Sequence, residues 1–283
     1  MKELFEKYNI ELTDEKEKKL KEYSSLLKEY NSKFNLTSIL SDDQIEIKHF
    51  LDSCLYVDKF IHNADIIEIG SGGGFPSVPN KILRDDLTFT LLEATEKKCE
   101  FLSVVVKELG LKKVRIINGR AEELGNDKNY REKYDYCIAR AVARLNVLSE
   151  YCMPFVKLNG KFVAYKGNAA EETEEAKPAI DLLGGKITNV YEFSLPNDEG
   201  KRNIIEVEKI KNTPSLYPAQ TEKLKRNRCD NVSFQWLMPC LPLQGRWRRS
   251  RRMSSRKGGL PRSVYNAKIK SDGFAFPGDP SLR

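Results

Sequence analysis

Apolar residues near the start of the chain recur at helical spacing. Leu20, Tyr23, Leu26, Leu27, Tyr30 and Phe34 form one stripe between charged faces and predict a helix. Thr13 stands where that helix would begin, with Asp14 and Glu15 behind it. A hydroxyl there can cap open backbone N–H groups, and acidic side chains suit the positive end of a helix. After the break at Asn35-Leu36-Thr37, Ser41 with Asp42 and Asp43 predicts a second helix start, with Ile45, Phe50, Cys54 and Leu55 turned inward. Residues 1–62 therefore read as a helical N-terminal extension.

From Asp65 the pattern changes. Short apolar runs at Asp65–Ile69, Leu87–Leu92, Val114–Ile117, Tyr134–Ala139 and Lys161–Tyr165 alternate with periodic segments, notably Glu96–Leu109 and Leu145–Val156. Strands separated by helices of this length predict a mostly parallel sheet with right-handed crossovers, an α/β doubly wound, Rossmann-like fold. Ile187–Phe193 and Asn203–Ile210, joined by a polar connection with a glycine, predict a closing antiparallel hairpin. The α/β body is expected to span residues 63–218.

Composition changes the picture at the far end. Of 48 Lys and Arg and 41 Asp and Glu, residues 219–283 hold 15 and 4, leaving 33 and 37 in residues 1–218. The formal charge of +7 thus belongs to the tail, and a nucleic-acid footprint on the body must be a local patch. The tail uses 10 Arg and 5 Lys, where the body uses 7 Arg and 26 Lys, and it holds both tryptophans, Trp236 and Trp247. Without a sustained period, it is expected to be disordered. A frameshifted, fused or read-through segment and an Arg-rich RNA-binding arm are the two readings it leaves open. Elsewhere, no apolar run reaches the roughly 20 residues that cross a bilayer. No basic-then-apolar leader is legible, so a cytoplasmic location is expected. Cys54, Cys99, Cys137, Cys152, Cys229 and Cys240 stand singly, with His49 and His62 the sole histidines. They predict buried thiols and no metal site.

The chemistry-bearing segment is Glu68-Ile69-Gly70-Ser71-Gly72-Gly73-Gly74-Phe75-Pro76, between a strand and a helix. Glycines let a turn adopt positive φ and approach a ligand closely. A nicotinamide-binding turn needs a third glycine where Phe75 stands, which weakens an NAD-dependent dehydrogenase reading. Gly70, Gly72 and Gly74 suit a nucleoside cofactor without a pyrophosphate, such as S-adenosyl-L-methionine, although a purely structural turn is the alternative. Glu93 ends the second strand, 23 residues beyond Gly70, where a carboxylate can accept hydrogen bonds from both ribose hydroxyls or serve only as a solvated cap. Ala121 and Glu122 follow the third strand and are candidates to flank an adenine. Arg140 and Arg144 follow the fourth, where a cofactor carboxylate or an RNA phosphate would sit; surface arginines are the alternative.

Taken together, these blocks resemble one family, the bacterial 16S rRNA guanine-N7 methyltransferase G family, also called glucose-inhibited division protein B. The likeness runs from about residue 10 to about 217. Its blocks are Tyr30-Asn31-x-x-Phe34-Asn35-Leu36-Thr37-Ser38, His49-Phe50-Leu51-Asp52-Ser53, the turn from Gly70 to Pro76 with Pro79, and Arg120-Ala121-Glu122-Glu123. Ala139-Arg140-Ala141, Tyr165-Lys166-Gly167 and Gly200-x-Arg202-Asn203 complete the set. The resemblance implies a class I S-adenosylmethionine-dependent methyltransferase fold with a seven-stranded sheet and a helical N-terminal extension. It implies cofactor contacts at Gly70, Phe75, Glu93, Ala121, Glu122 and Arg140, and 16S rRNA or the small ribosomal subunit as partner. Gly73 and Ser77 stand where many relatives carry Pro and Gly, and Ala219 onward matches nothing in the family. Guanine N7 presents a lone pair and needs no deprotonation, so no catalytic residue is assigned. Asn35, His49, Asp52, Lys166 and Arg202 are candidates for shaping the site or gripping rRNA, with His49 and Asp52 equally a hydrogen-bonded structural pair. The expected protein is a monomer with no membrane or metal partner. Two other functions stay open: methyl transfer to another acceptor, and a non-catalytic S-adenosylmethionine-binding module.

Overall fold

Helices of the extension and an α/β sheet share one core in the computed structural model, which describes residues 1–197 and 199–219. The N-terminal part comprises α1 (Lys2–Glu6), α2 (Asp14–Phe34), α3 (Asp42–Ile45), a π-helical stretch over Glu46–Leu51, α4 (Asp52–Cys54) and a 3₁₀ turn at Val57–Lys59. Thr13 caps α2 as its position predicts, its hydroxyl accepting the Lys16 N–H at 3.4 Å. Asn35 closes α2 in the left-handed conformation, with φ +49°. Leu20, Tyr23 and Leu27 carry the stripe into the core, completely covered.

Seven strands follow among the described residues: β1 (Asp65–Ile69), β2 (Thr88–Glu93), β3 (Val114–Asn118), β4 (Tyr134–Arg140), β5 (Val156–Lys166), β6 (Gly185–Ser194) and β7 (Lys201–Lys209). Between them lie α5 (Ser77–Leu83), α6 (Glu96–Glu108), α7 (Ala121–Leu124), α8 (Leu145–Cys152) and α9 (Ala170–Leu182). The sheet order is β3-β2-β1-β4-β5-β7-β6, with β7 antiparallel to both of its neighbours. Chain order reverses between β1 and β4, so their carboxyl ends open the crevice in which such sheets bind ligands.

Alternation on β1 builds both layers. Ile66 joins the core beneath the N-terminal helices, α5 and α6, whereas Ile67 and Ile69 join the one beneath α8 and α9. Coverage on both faces explains why every residue of β1 and β2 after the first is buried, polar ones included. Cys54, Cys99, Cys137 and Cys152 are buried and free of disulfides.

The structure departs from the sequence reading in particular places. The helix expected after Ser41 is divided into α3, the π-helical stretch and α4. Strand β5 begins at Val156, five residues before the expected start, and α9 forms where the sequence pattern predicts no helix. No helix among the described residues is long and apolar enough to cross a membrane. Apart from Ala219, the tail expected to be disordered lies outside the described residues, together with Cys229 and Cys240.

Candidate active site

The turn after β1 is held from below and from the side. Gly70 and Ser71 donate their N–H groups to the Leu92 carbonyl at 2.8 and 3.2 Å, locking the turn to the end of β2. The buried Tyr23 hydroxyl of α2 donates to the Gly73 carbonyl. Gly70, Gly72 and Gly74 all have positive φ, at +69°, +55° and +91°. Their surroundings differ. A Cβ on Gly74 would lie 2.7 Å from both Tyr23 Oη and Val78 Cγ2, whereas one on Gly72 would meet only the Gly70 carbonyl oxygen, at 3.8 Å. Gly74 is a packing glycine; Gly72 presents bare backbone.

Glu93 faces that bare backbone. Its Oε2 accepts the Gly72 N–H at 2.8 Å and its Oε1 accepts the Thr95 N–H at 2.9 Å. The side of β3 is drawn to the same point: Gly119 N–H and Asn118 Nδ2 donate to the Glu93 carbonyl at 3.0 and 3.1 Å. Ala121 and Glu122, both buried, begin α7 just beyond. The structure thus brings the glycines, Glu93 and the start of α7 to one edge.

Arg140, the last residue of β4, packs against the N-terminal extension. Its Nη1 donates to the Lys48 carbonyl and to Asp52 Oδ2, both at 3.0 Å, and its Nη2 donates to His49 Nδ1 at 3.2 Å. Arg202 reaches the other oxygen of Asp52, Nε to Oδ1, at 3.3 Å. His49 and Asp52 therefore meet through Arg140, rather than as the direct pair that their spacing suggested. Phe75 stacks on the His49 ring, with centroids 4.3 Å apart, and Arg140 Cζ lies 5.2 Å from the Phe75 ring centre. Burial, reinforced by the Arg140 charge, lowers the His49 pKa to about 3. The ring is neutral.

The remaining candidates lie apart from this group. Arg144 is largely exposed and pairs with Glu175. Lys166 donates to the Ala143 carbonyl and to Glu172, at 2.6 and 2.7 Å, tying the loop after β4 to α9. Asn35 is an exposed helix cap. Its neighbour Asn31 does the local bonding, its Oδ1 accepting the Leu36 and Thr37 N–H groups at 2.8 Å each. In the loop after β4, Ala141 has φ +57° and Val142 lies over Gly70, where an added Cβ would come within 2.8 Å of Val142 Cγ2.

Glu68 is the group that sequence reasoning passed over. It reads as an ordinary strand residue, yet it is completely buried beneath the turn. Its Oε2 accepts the Ser77 N–H at 3.2 Å, while its Oε1 has no partner among the described residues. Ser77 Oγ, Asn80 Oδ1 and Tyr165 Oη are likewise buried without hydrogen-bond partners among the described residues. Burial pushes the Glu68 carboxyl up to about 8. The signal available in sequence was its place two residues before Gly70, on the face alternate to Ile67 and Ile69.

A reversed, mostly parallel sheet with antiparallel β7 inserted before β6, a glycine turn after β1 and a carboxylate at the tip of β2 defines a class I S-adenosylmethionine-dependent methyltransferase. The family model for rRNA small subunit methyltransferase G (GidB) matches residues 16–205, and the chain belongs to that family. It is similar to the ribosomal RNA small subunit methyltransferase G of Acetivibrio thermocellus, 46% identical over 78% of this chain and 91% of that one. The protein of the same name from Clostridium novyi is 43% identical over 75% of this chain and 89% of the relative. Among solved structures, TYW2 from M. jannaschii in complex with AdoMet covers 60% of this chain and 77% of its own, with 15% identity and a TM-score of 0.47, a likeness too loose to bear on function.

Proposed function

We propose that the protein transfers a methyl group from S-adenosyl-L-methionine to N7 of a guanine in 16S small-subunit rRNA, in the cytoplasm. The observation that carries the proposal is the Glu93 carboxylate fixed against the bare backbone of Gly72. Family membership and the names of the relatives support the acceptor.

The residues present fit the cofactor. Each Glu93 oxygen accepts one backbone N–H and keeps a further lone pair for a ribose hydroxyl. Gly72 leaves open space where a side chain would intrude. Ala121 and Glu122 would flank the base. At the other end of the crevice, Arg140 and Arg202 share the single carboxylate of Asp52. The group carries surplus positive charge, suited to a methionine carboxylate or an RNA phosphate. Arg140 keeps its Nε–H and one Nη2–H without a hydrogen-bond partner among the described residues. Lys166 and Arg144 would act farther out, toward RNA.

When bound, the cofactor supplies an electrophilic methyl group on a sulfonium. Guanine N7 offers an exposed lone pair, so the protein need not remove a proton. Its contribution is alignment: fixed backbone under the nucleoside, a held sugar and a held carboxylate. A label-transfer assay tests the proposal by comparing small ribosomal subunits, naked 16S rRNA and unrelated acceptors. Mass mapping of the rRNA digest should show one methylated guanine; label on other acceptors alone would overturn the reading.

A further inference from the structure

We propose that His49 is a positioning residue: as a neutral imidazole with its proton on Nε2, it aims the Arg140 guanidinium into the cofactor crevice from the N-terminal extension. The inference rests on the function proposed above. It makes the extension part of the machinery that aligns the cofactor.

The tautomer follows from the donors. A guanidinium nitrogen can only donate, so His49 Nδ1, 3.2 Å from Arg140 Nη2, must accept. The ring proton then lies on Nε2, which donates to Thr37 Oγ1 at 2.8 Å. Thr37 is fixed in turn, its N–H held by Asn31 Oδ1 at 2.8 Å and its Oγ1 taking the Ile39 N–H at 3.0 Å. A directed chain runs from the end of α2 through Thr37 and His49 to the tip of β4.

Backbone and packing restrict the ring further. His49 lies in the π-helical stretch, a wide turn that occurs mostly as a local insertion and often at functional sites. Phe75, supplied by the glycine turn, stacks on the ring at an interplanar angle of 14°. One imidazole is thus clamped between the N-terminal extension, the cofactor turn and the β4 arginine.

Charge explains why a neutral acceptor stands here. Around His49 lie Arg140 from β4, Arg202 from β7, Lys48 from its own stretch and Asp52 from α4, with Lys48 engaged by Glu199. A carboxylate in place of the imidazole would cancel the surplus charge that an anionic ligand needs. A second cation would repel Arg140. A neutral acceptor holds the guanidinium and leaves its charge available.

The test uses the whole protein. His49→Ala should lower kcat/KM for methyl transfer about 100-fold, the scale expected when a reactant-positioning group is misplaced. S-adenosylhomocysteine binding, read by calorimetry, should weaken about tenfold, as for one lost charge-assisted contact. His49→Asn can place its amide oxygen where Nδ1 stood and should recover most of both losses; a filler without an acceptor, His49→Leu, should recover neither. Imidazole ¹⁵N NMR on the unaltered protein provides a readout independent of folding changes in the variants. With two histidines in the chain, the spectrum should show His49 fixed as the Nε2–H tautomer, its Nδ1 signal moving in Arg140→Gln. A protonated or Nδ1–H His49 overturns the inference, as does a folded His49→Ala with unchanged affinity and turnover, or no rescue by asparagine over leucine. Failure of the unaltered protein to bind S-adenosylmethionine would overturn both proposals; binding and transfer that ignore His49 would overturn only this one.

Discussion

The backbone N–H of Gly72 donates to Oε2 of Glu93 at 2.8 Å, tying the turn after the first strand to the tip of the second. One carboxylate thereby shapes the turn proposed to carry the cofactor and keeps lone pairs that would take its sugar hydroxyls. Glu93→Ala should weaken S-adenosylmethionine binding about 10- to 100-fold, the worth of a charge-assisted contact. Glu93→Gln should fall between the two, since an amide retains one acceptor oxygen. Calorimetric titration checks the order; equal affinities across the three proteins would refute the role.

Two glycines of the same turn should fail in different ways. Gly74→Ala places a methyl group against Tyr23 and Val78 at a φ of +91°, and overpacking alone should cost about 1–3 kcal/mol. Gly72→Ala meets no side chain and should cost about 1–2 kcal/mol for the left-handed backbone, while its methyl group would intrude on the cofactor in its proposed place. Thermal melts and cofactor titrations on both variants should therefore rank them oppositely.

Arg140→Ala should reduce methyl transfer by at least 100-fold, the scale of a lost alignment, and leave a folded protein. Asp52 keeps Arg202 at 3.3 Å and so is not stranded as an unpaired charge. Circular dichroism with single-turnover kinetics separates the two effects. Wild-type turnover in the variant would remove Arg140 from the site.

Glu68 gives stability a particular pH dependence. Its folded pKa of about 8 lies above its ordinary 4.5, so between those values the native protein holds a proton that the unfolded chain releases. The native state then binds more protons, and this contribution to stability declines as pH rises through that window. Glu68→Gln should remove the decline, and its melting temperature should gain on the unaltered protein between pH 6 and roughly pH 9. Parallel melting curves over that range would show that Glu68 does not titrate there.

How much of this was legible in the sequence depended on whether a signal was local. Strand β1 is bounded by Asp65 and Ile69 as its apolar run suggests, because a run covered on both faces and ended by glycine leaves little choice. Helix α9 was hidden: Glu171, Glu172, Glu174 and Glu175 with Pro178 mask a sparse inward set of Thr173, Ala176 and Ile180. The π-helical stretch has no distinctive period in six residues, so His49 and Asp52 read as neighbours on a helix. Their common partner, Arg140, is 91 and 88 positions away, beyond any spacing argument. Glu68 was obscured by its surroundings, since only the fold shows a strand acid sealed beneath a turn.

Tyr23 gives the hydroxyl contact beneath Gly73 a wider meaning. It stands in the second helix, far upstream of the first strand, yet it forms the floor on which the glycine turn rests. Stiffness of the turn proposed to hold the cofactor is therefore inherited from a helix that lies outside the sheet. Chimeras exchanging N-terminal helices between relatives would carry that stiffness with them, and drift at position 23 would be answered at position 74.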